Sequence, residues 1–157
     1  MRPYLCPMKA MNKLYTVGIV LAAILITLAA FTRQTEPWTP SQLLDPADLA
    51  ARINHPSGVP PLVIGVGPSG LIKGSIETGP ARDQHNLDKL KALLDKEDRN
   101  KEVIIYCGCC PFQHCPNIRP AFTLLNDMHF IHTRLLNLSH NIKVDWIDHG
   151  YPVTASK

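Results

Sequence analysis

Residues 103–120 read VIIYCGCCPFQHCPNIRP, an apolar run that opens into a loop holding four of the chain's five cysteines. The branched and aromatic side chains of the first four positions favour a short strand that is buried on both faces. After the loop, apolar residues recur at every third position, which predicts a helix over residues 119–128. The segment therefore predicts a strand, a cysteine loop and a helix, with Cys107 at the end of the strand.

The end of such a strand is a favourable place for a reactive cysteine. Ligands of open α/β sheets bind beyond the carboxyl ends of the strands, where helix N-termini direct N–H groups at anions. A thiol in this place ionises easily, and Arg119 would add a second positive group. The position favours Cys107 as the nucleophile. Cys115 is the alternative, because it lies closer to the start of the next helix.

Length and charge limit the classes of function. A chain of 157 residues has room for one domain of ordinary size and a short appendage. Its formal net charge of +3 is small, and its basic residues do not cluster with aromatic ones. A nucleic-acid partner is therefore not expected.

The N-terminal region has the pattern of a segment that enters a membrane. Residues 17–31 are apolar or small apart from Thr27, and basic residues precede them within residues 1–16. Such a segment is either an anchor or a cleaved signal. The basic flank predicts a cytoplasmic N-terminus and a domain on the periplasmic or extracytoplasmic side. Residues 32–40 contain prolines among polar residues and predict a linker to a domain over residues 41–157.

The remaining pattern predicts alternating strands and helices. In chain order it gives a helix capped by Asp45, a buried strand over residues 61–66, a helix from Asn86 to Leu94, a strand over residues 134–138 and a helix over residues 141–149. A strand, a helix and a second strand in succession make the two strands parallel. Trp146 is expected to pack in the core. The predicted fold class is therefore α/β with a parallel sheet.

Several of these segments resemble the rhodanese-like domain. The similarity is carried by the strand end Tyr106-Cys107, the loop that closes on Arg119, the LLNL segment of residues 135–138 and the WIDHGYPV segment of residues 146–153. It covers roughly residues 38 to 153, a usual domain length. The resemblance implies an open parallel sheet with helices on both faces, and a cysteine that carries sulfane sulfur as a persulfide.

The resemblance also implies a sulfurtransferase mechanism. Cys107, held as a thiolate by loop amides and Arg119, would accept sulfur from a small anionic donor, such as thiosulfate or a persulfide, and pass it to a thiol acceptor. A second loop cysteine such as Cys115 would resolve the persulfide as a disulfide. The other expected substrate-binding residues are Gly108, Cys109, Cys110, His114 and Asn117. No cofactor is expected, and the membrane is the further partner, through residues 17–31.

The chain departs from the family pattern at three places. Gly65 and Gly67 stand where family members usually carry Asp and Arg after the first central strand, and Ser75 stands where His is frequent. The loop also lacks the usual Cys-x-x-Gly-x-Arg spacing. Because neither Cys107 nor Cys115 gives a Cys-x5-Arg spacing either, a related phosphatase activity is disfavoured.

Two other accounts of the loop stay open. Thiolates and an imidazole suit copper(I) or zinc, and the candidate ligands are Cys107, Cys109, Cys110, His114 and Cys115. In an exported domain the same cysteines also suit disulfides, which would leave a stapled and catalytically inactive binding domain. The sequence does not choose among these pairings.

Overall fold

The computed structural model describes residues 36–68 and 70–154. The predicted cytoplasmic segment 1–16, the predicted membrane segment 17–31 and residues 32–35 of the predicted linker lie outside these ranges. Within the described ranges, no helix combines the length and the apolar character needed to cross a membrane. The anchor therefore stays a prediction.

The domain is built on a five-stranded sheet in which every neighbouring pair of strands is parallel. The strands are β1 (Leu43–Leu44), β2 (Leu62–Gly65), β3 (Ile76–Glu77), β4 (Val103–Tyr106) and β5 (Thr133–Leu136). Their order across the sheet is β1-β5-β4-β2-β3, so that β4 lies in the centre. All residues of β4 are buried, as its run of branched side chains predicts. The predicted α/β class with a parallel sheet is confirmed.

Helices connect the strands. The α-helices of the described part are α1 (Pro46–Asn54), α2 (Gln84–Leu94) and α3 (Ile118–Asp127), with 3₁₀ turns at Pro40–Gln42 and Phe112–His114 and a π-helical turn at Lys143–Ile147. Asp45 caps α1 as predicted, since its carboxylate accepts a hydrogen bond from the Ala47 N–H at 2.7 Å. Helix α3 agrees with the helix predicted over residues 119–128 to within one residue.

Separate hydrophobic clusters cover the two faces of the sheet. Alternate residues of a strand point to opposite faces. Ile105 therefore belongs to one cluster, which contains Leu90 and other residues of α2 and α3. Ile104 belongs to the other, together with Leu49 of α1 and Trp146. Helical segments thus pack on both faces, and Trp146 is a core residue as expected, fully buried.

The start of α2 differs from the prediction that Asn86 is its cap. The helix begins at Gln84, and the N–H groups of Asn86 and Leu87 both donate to the Asp83 carbonyl, at 3.0 and 3.1 Å. Asn86 is therefore already inside the first turn. Its side-chain amide turns back and donates to the Pro80 carbonyl at 3.2 Å.

The last predicted helix, over residues 141–149, is replaced by the shorter π-helical turn Lys143–Ile147. Its hydrogen bonding spans five residues, since the Asp148 N–H donates to the Lys143 carbonyl at 2.8 Å. The indole N–H of Trp146 donates to the Pro152 carbonyl at 2.9 Å. Trp146 lies in this π-helical turn, and it is both buried and hydrogen-bonded to the segment that follows.

Trp38 lies in the predicted linker but packs in the core. Its ring makes edge contacts with Phe112 and Phe122, with ring centroids 6.1 and 5.7 Å apart. Only 9% of Trp38 is exposed. An indole buries a large apolar area, which is sufficient to bring this segment onto the domain. The packed part of the chain therefore begins before residue 41.

Candidate functional site

The cysteine loop, residues 107–117, begins at the carboxyl end of the central strand β4. Directly beside it runs the segment that follows β2, where the Val66 N–H donates to the Tyr106 carbonyl at 2.9 Å. A Cβ atom at position 67 would lie 2.7 Å from the Cys107 Sγ and 3.4 Å from its Cα. Gly67 is therefore the residue that makes room for the Cys107 sulfur, a role that the sequence did not reveal.

The four loop cysteines are free thiols in different surroundings. Cys107 and Cys115 are buried, Cys110 is half-buried and Cys109 is exposed. The Cys109 Sγ lies 3.3 Å from the Cys107 Sγ and 3.3 Å from the Cys110 Sγ. The exposed Cys109 thiol is therefore in direct contact with the buried Cys107 thiol.

Three of these thiols form a compact group, which we call the three-thiol cluster: Cys107, Cys109 and Cys115. Their Sγ atoms all lie within 4.8 Å of one another. Among the described residues, neither Cys110 nor His114 belongs to this group, and His114 is exposed in its 3₁₀ turn. The predicted ligand set of five is therefore reduced to three that come together.

Asn117 fixes one side of the cluster, and its predicted substrate-binding role stays a prediction. Its side chain is buried, and its amide N–H donates to the Cys107 Sγ at 3.4 Å. The amide oxygen accepts a hydrogen bond from the backbone N–H of Arg82 at 3.2 Å. Because the oxygen is engaged by a donor, the amide is oriented with its own N–H toward the sulfur.

The ionisation of Cys107 differs from the expected activated thiolate. Hydrogen bonding to Cys115 and then burial raise the pKa of the Cys107 thiol, while the Cys109 backbone N–H and the Asn117 amide act in the opposite direction. Burial, followed by a neighbouring thiol, likewise raises the pKa of Cys109 and Cys110. Cys107, Cys109 and Cys110 therefore favour the neutral thiol form.

Arg119 does not make the predicted contact with a thiol within the described ranges. Its guanidinium pairs with Glu36 at 2.5 Å and donates to the Gln113 carbonyl at 2.7 Å. The same group lies over the Trp38 ring, 5.6 Å from the centroid. Arg119 therefore holds the outer part of the loop against the segment before β1, and its expected role as the positive partner of Cys107 is corrected.

Gly108 has a packing role in the structure, and its predicted substrate-binding role stays a prediction. Its carbonyl accepts a hydrogen bond from the Ile142 N–H at 3.0 Å. A Cβ at this position would lie 2.8 Å from the Ile142 Cβ. The loop is thus tied to the segment before the π-helical turn by close backbone approach at this glycine.

A hydrogen-bond network on the opposite face of β4 explains why position 65 is a glycine. The Tyr106 hydroxyl donates to the Glu77 carboxylate at 2.8 Å and shares a hydrogen bond with the Ser75 hydroxyl at 2.9 Å. The Glu77 carboxylate occupies the space that Cβ atoms at Gly65 and Gly70 would need. Burial raises the pKa of Tyr106, so that it stays a donor in this network. Ser75 of this network stands at the sequence position where the resemblance predicts His, and Gly65 at the position where it predicts Asp.

No family model and no curated protein matches this chain. What the fold and the loop define is a class: an α/β domain with a thiol cluster at the carboxyl edge of a parallel sheet.

Proposed function

We propose that this domain is a rhodanese-like sulfur carrier whose reactive sulfur is that of Cys107. The observation that carries the proposal is the position of the Cys107 Sγ at the carboxyl end of the central strand, 3.3 Å from the Cys109 Sγ. Reactive groups of open α/β sheets are found at this edge. The parallel sheet with helices on both faces agrees with the architecture that the sequence resemblance implies.

The first step of the proposed reaction loads one sulfur atom onto Cys107. The thiol loses its proton to solvent, and its sulfur attacks the outer sulfur of thiosulfate. The sulfur–sulfur bond of thiosulfate breaks, sulfite leaves with the electron pair, and a persulfide remains on Cys107. The Asn117 amide, 3.4 Å from this sulfur, is placed to donate to its negative charge.

The second step unloads the sulfur in one of two ways. An external thiolate attacks the outer persulfide sulfur, takes it as its own persulfide and leaves Cys107 as a thiolate. Alternatively, the Cys109 thiolate attacks the inner sulfur, hydrosulfide leaves, and a disulfide joins Cys107 and Cys109. An external dithiol then reduces this disulfide. The 3.3 Å separation supports Cys109 as the resolving thiol, in place of Cys115.

Single-turnover release of sulfite tests the proposal. The full chain, reduced and freed of excess reductant, is mixed with thiosulfate, and sulfite is measured per chain. We expect release by the unchanged protein and by Cys6→Ser, whose cysteine lies outside the loop, and no release by Cys107→Ser. Loss of release in Cys115→Ser with retention in Cys107→Ser would show that the nucleophile was assigned to the wrong cysteine.

We also propose that the domain is exported and held at the membrane by residues 17–31. The support is the apolar character of this segment and the basic residues before it. A phosphatase fusion that is active only outside the cytoplasm tests the orientation. Activity of a fusion at the C-terminus is the expected result, and an inactive but intact fusion would contradict export.

A further inference from the structure

We infer that the three-thiol cluster of Cys107, Cys109 and Cys115 binds a monovalent copper ion. The basis is that three sulfur atoms from different parts of the loop lie within 4.8 Å of one another. This binding goes beyond sulfur transfer, because no sulfur atom is exchanged. It depends on reduced thiols alone and would hold even if thiosulfate were not a substrate.

The type and number of donors favour Cu(I). Thiolates are soft ligands that select Cu(I), zinc and iron–sulfur clusters. Zinc in structural sites almost always takes four ligands. In the part of the chain that the structure describes, the compact group contains three donors, all of them thiols. A three-coordinate Cu(I) thiolate uses this set completely.

Among the described residues, no hydrogen bond or ion pair joins the cluster to a positively charged side chain. The guanidinium of Arg119 is engaged by Glu36 and the Gln113 carbonyl, and the Asn117 amide is the neutral donor on Cys107. The three sulfur atoms, which lie within 4.8 Å of one another, can therefore coordinate one cation between them. Copper binding replaces three S–H bonds with three Cu–S bonds, releases up to three protons to solvent, and leaves the copper as Cu(I).

The exposure of the ligands provides a route for the ion. Cys109 is exposed, whereas Cys107 and Cys115 are buried, with 2% and 0% of their surfaces accessible. An ion captured by Cys109 therefore needs to move inward only by the length of the cluster to reach the other two sulfurs. The buried sulfurs would then shield it from water and oxygen.

Competition with a chromogenic Cu(I) chelator tests the site in the reduced full chain without oxygen. We expect one Cu(I) per chain for the unchanged protein and for Cys6→Ser. In Cys115→Ser the affinity should fall by roughly 100-fold or more, because even loss of an outer partner of a ligand costs about 10- to 100-fold. Copper binding and sulfite release from thiosulfate are measured separately on the unchanged reduced chain, so that failure of copper binding and failure of sulfur transfer are distinguished.

Alkylation of the unchanged protein provides a test that does not rely on a variant's folding. With Cu(I) bound, Cys107, Cys109 and Cys115 should resist iodoacetamide while Cys110 reacts, as located by peptide mass spectrometry. Protection of all four together, or equal affinity for zinc that is lost in Cys110→Ser, would replace the assignment with a four-coordinate zinc site. Unchanged alkylation of Cys109 in the presence of Cu(I) would overturn the proposal.

Discussion

Tyr106 and Cys107 are neighbours in the chain, but their side chains enter opposite faces of the sheet and meet very different surroundings. The Tyr106 hydroxyl has a carboxylate and a second hydroxyl as hydrogen-bond partners. The Cys107 sulfur faces two other thiols and one amide. We call the Tyr106 side of the strand end the closed face, because its hydroxyl is hydrogen-bonded to matched polar partners. We call the Cys107 side the open face, because its thiols are in place to react or to bind a ligand.

The pH dependence of sulfite release is the strongest test of this difference between the two faces. Because the pKa of Cys107 is raised, its thiolate fraction should still be increasing, by about tenfold for each pH unit, as the pH approaches 9. An ordinary cysteine, with a pKa of about 8.5, would level off in that range. We expect the rate of sulfite release to follow this slope without a plateau between pH 7 and 9. A plateau in the rate below pH 8 would contradict this expectation, because it would show that the surroundings of Cys107 lower the pKa of its thiol.

Replacing Cys115 should make sulfite release faster if Cys115 only raises the pKa of Cys107, and should abolish it if Cys115 takes part in the reaction. Hydrogen bonding to Cys115 is the largest cause of the raised pKa of Cys107. In Cys115→Ala we therefore expect a lower pKa for Cys107 and sulfite release at pH 7 that is about twofold faster or more. The rate is measured by stopped flow, with thermal unfolding as a check on the fold. Loss of release in the folded variant would make Cys115 a required participant.

A side chain at position 67 should lower the stability of the domain, because it would crowd the Cys107 sulfur on the open face. The added methyl of Gly67→Ala would lie 2.7 Å from the Cys107 Sγ, and such overpacking costs about 1–3 kcal/mol of the free energy of unfolding. Denaturant unfolding of both single variants and of Gly67→Ala with Cys107→Ala tests the contact. The double variant should recover most of the loss, because the opposing sulfur is gone. Additive losses would place the strain elsewhere.

The closed face should contribute stability and leave the chemistry unaffected. Tyr106→Phe removes the donor to Glu77, while Ser75 stays within reach of the carboxylate at 2.8 Å. We expect a loss of about 1 kcal/mol in the free energy of unfolding and an unchanged rate of sulfite release. A large fall in that rate would mean that the two faces are coupled.

Sequence patterns predicted what is local in the chain. The strand Val103–Tyr106 and the helix Ile118–Asp127 follow from runs and spacings of apolar residues, and both are confirmed. The Asp45 cap is also local, because its partner lies two residues away. Features of this kind need no knowledge of which segments meet in space.

The parts that sequence did not predict depend on distant segments. Arg119 pairs with Glu36, which is 83 positions away, and this pairing directs its side chain away from the predicted role. Gly67 meets Cys107 only because β2 and β4 are neighbours in the sheet. The protonation of Cys107 depends on burial and on Cys115, neither of which is visible in a linear pattern.

The most direct measurement is the position of the transferred sulfur atom. The full chain is treated with thiosulfate, the remaining thiols are blocked, and the loop peptide is sequenced by mass spectrometry under conditions that preserve persulfides. We predict one added sulfur on Cys107, or, after resolution, a disulfide between Cys107 and Cys109. Added sulfur on Cys115 alone, or unmodified thiols throughout the loop, would contradict the account.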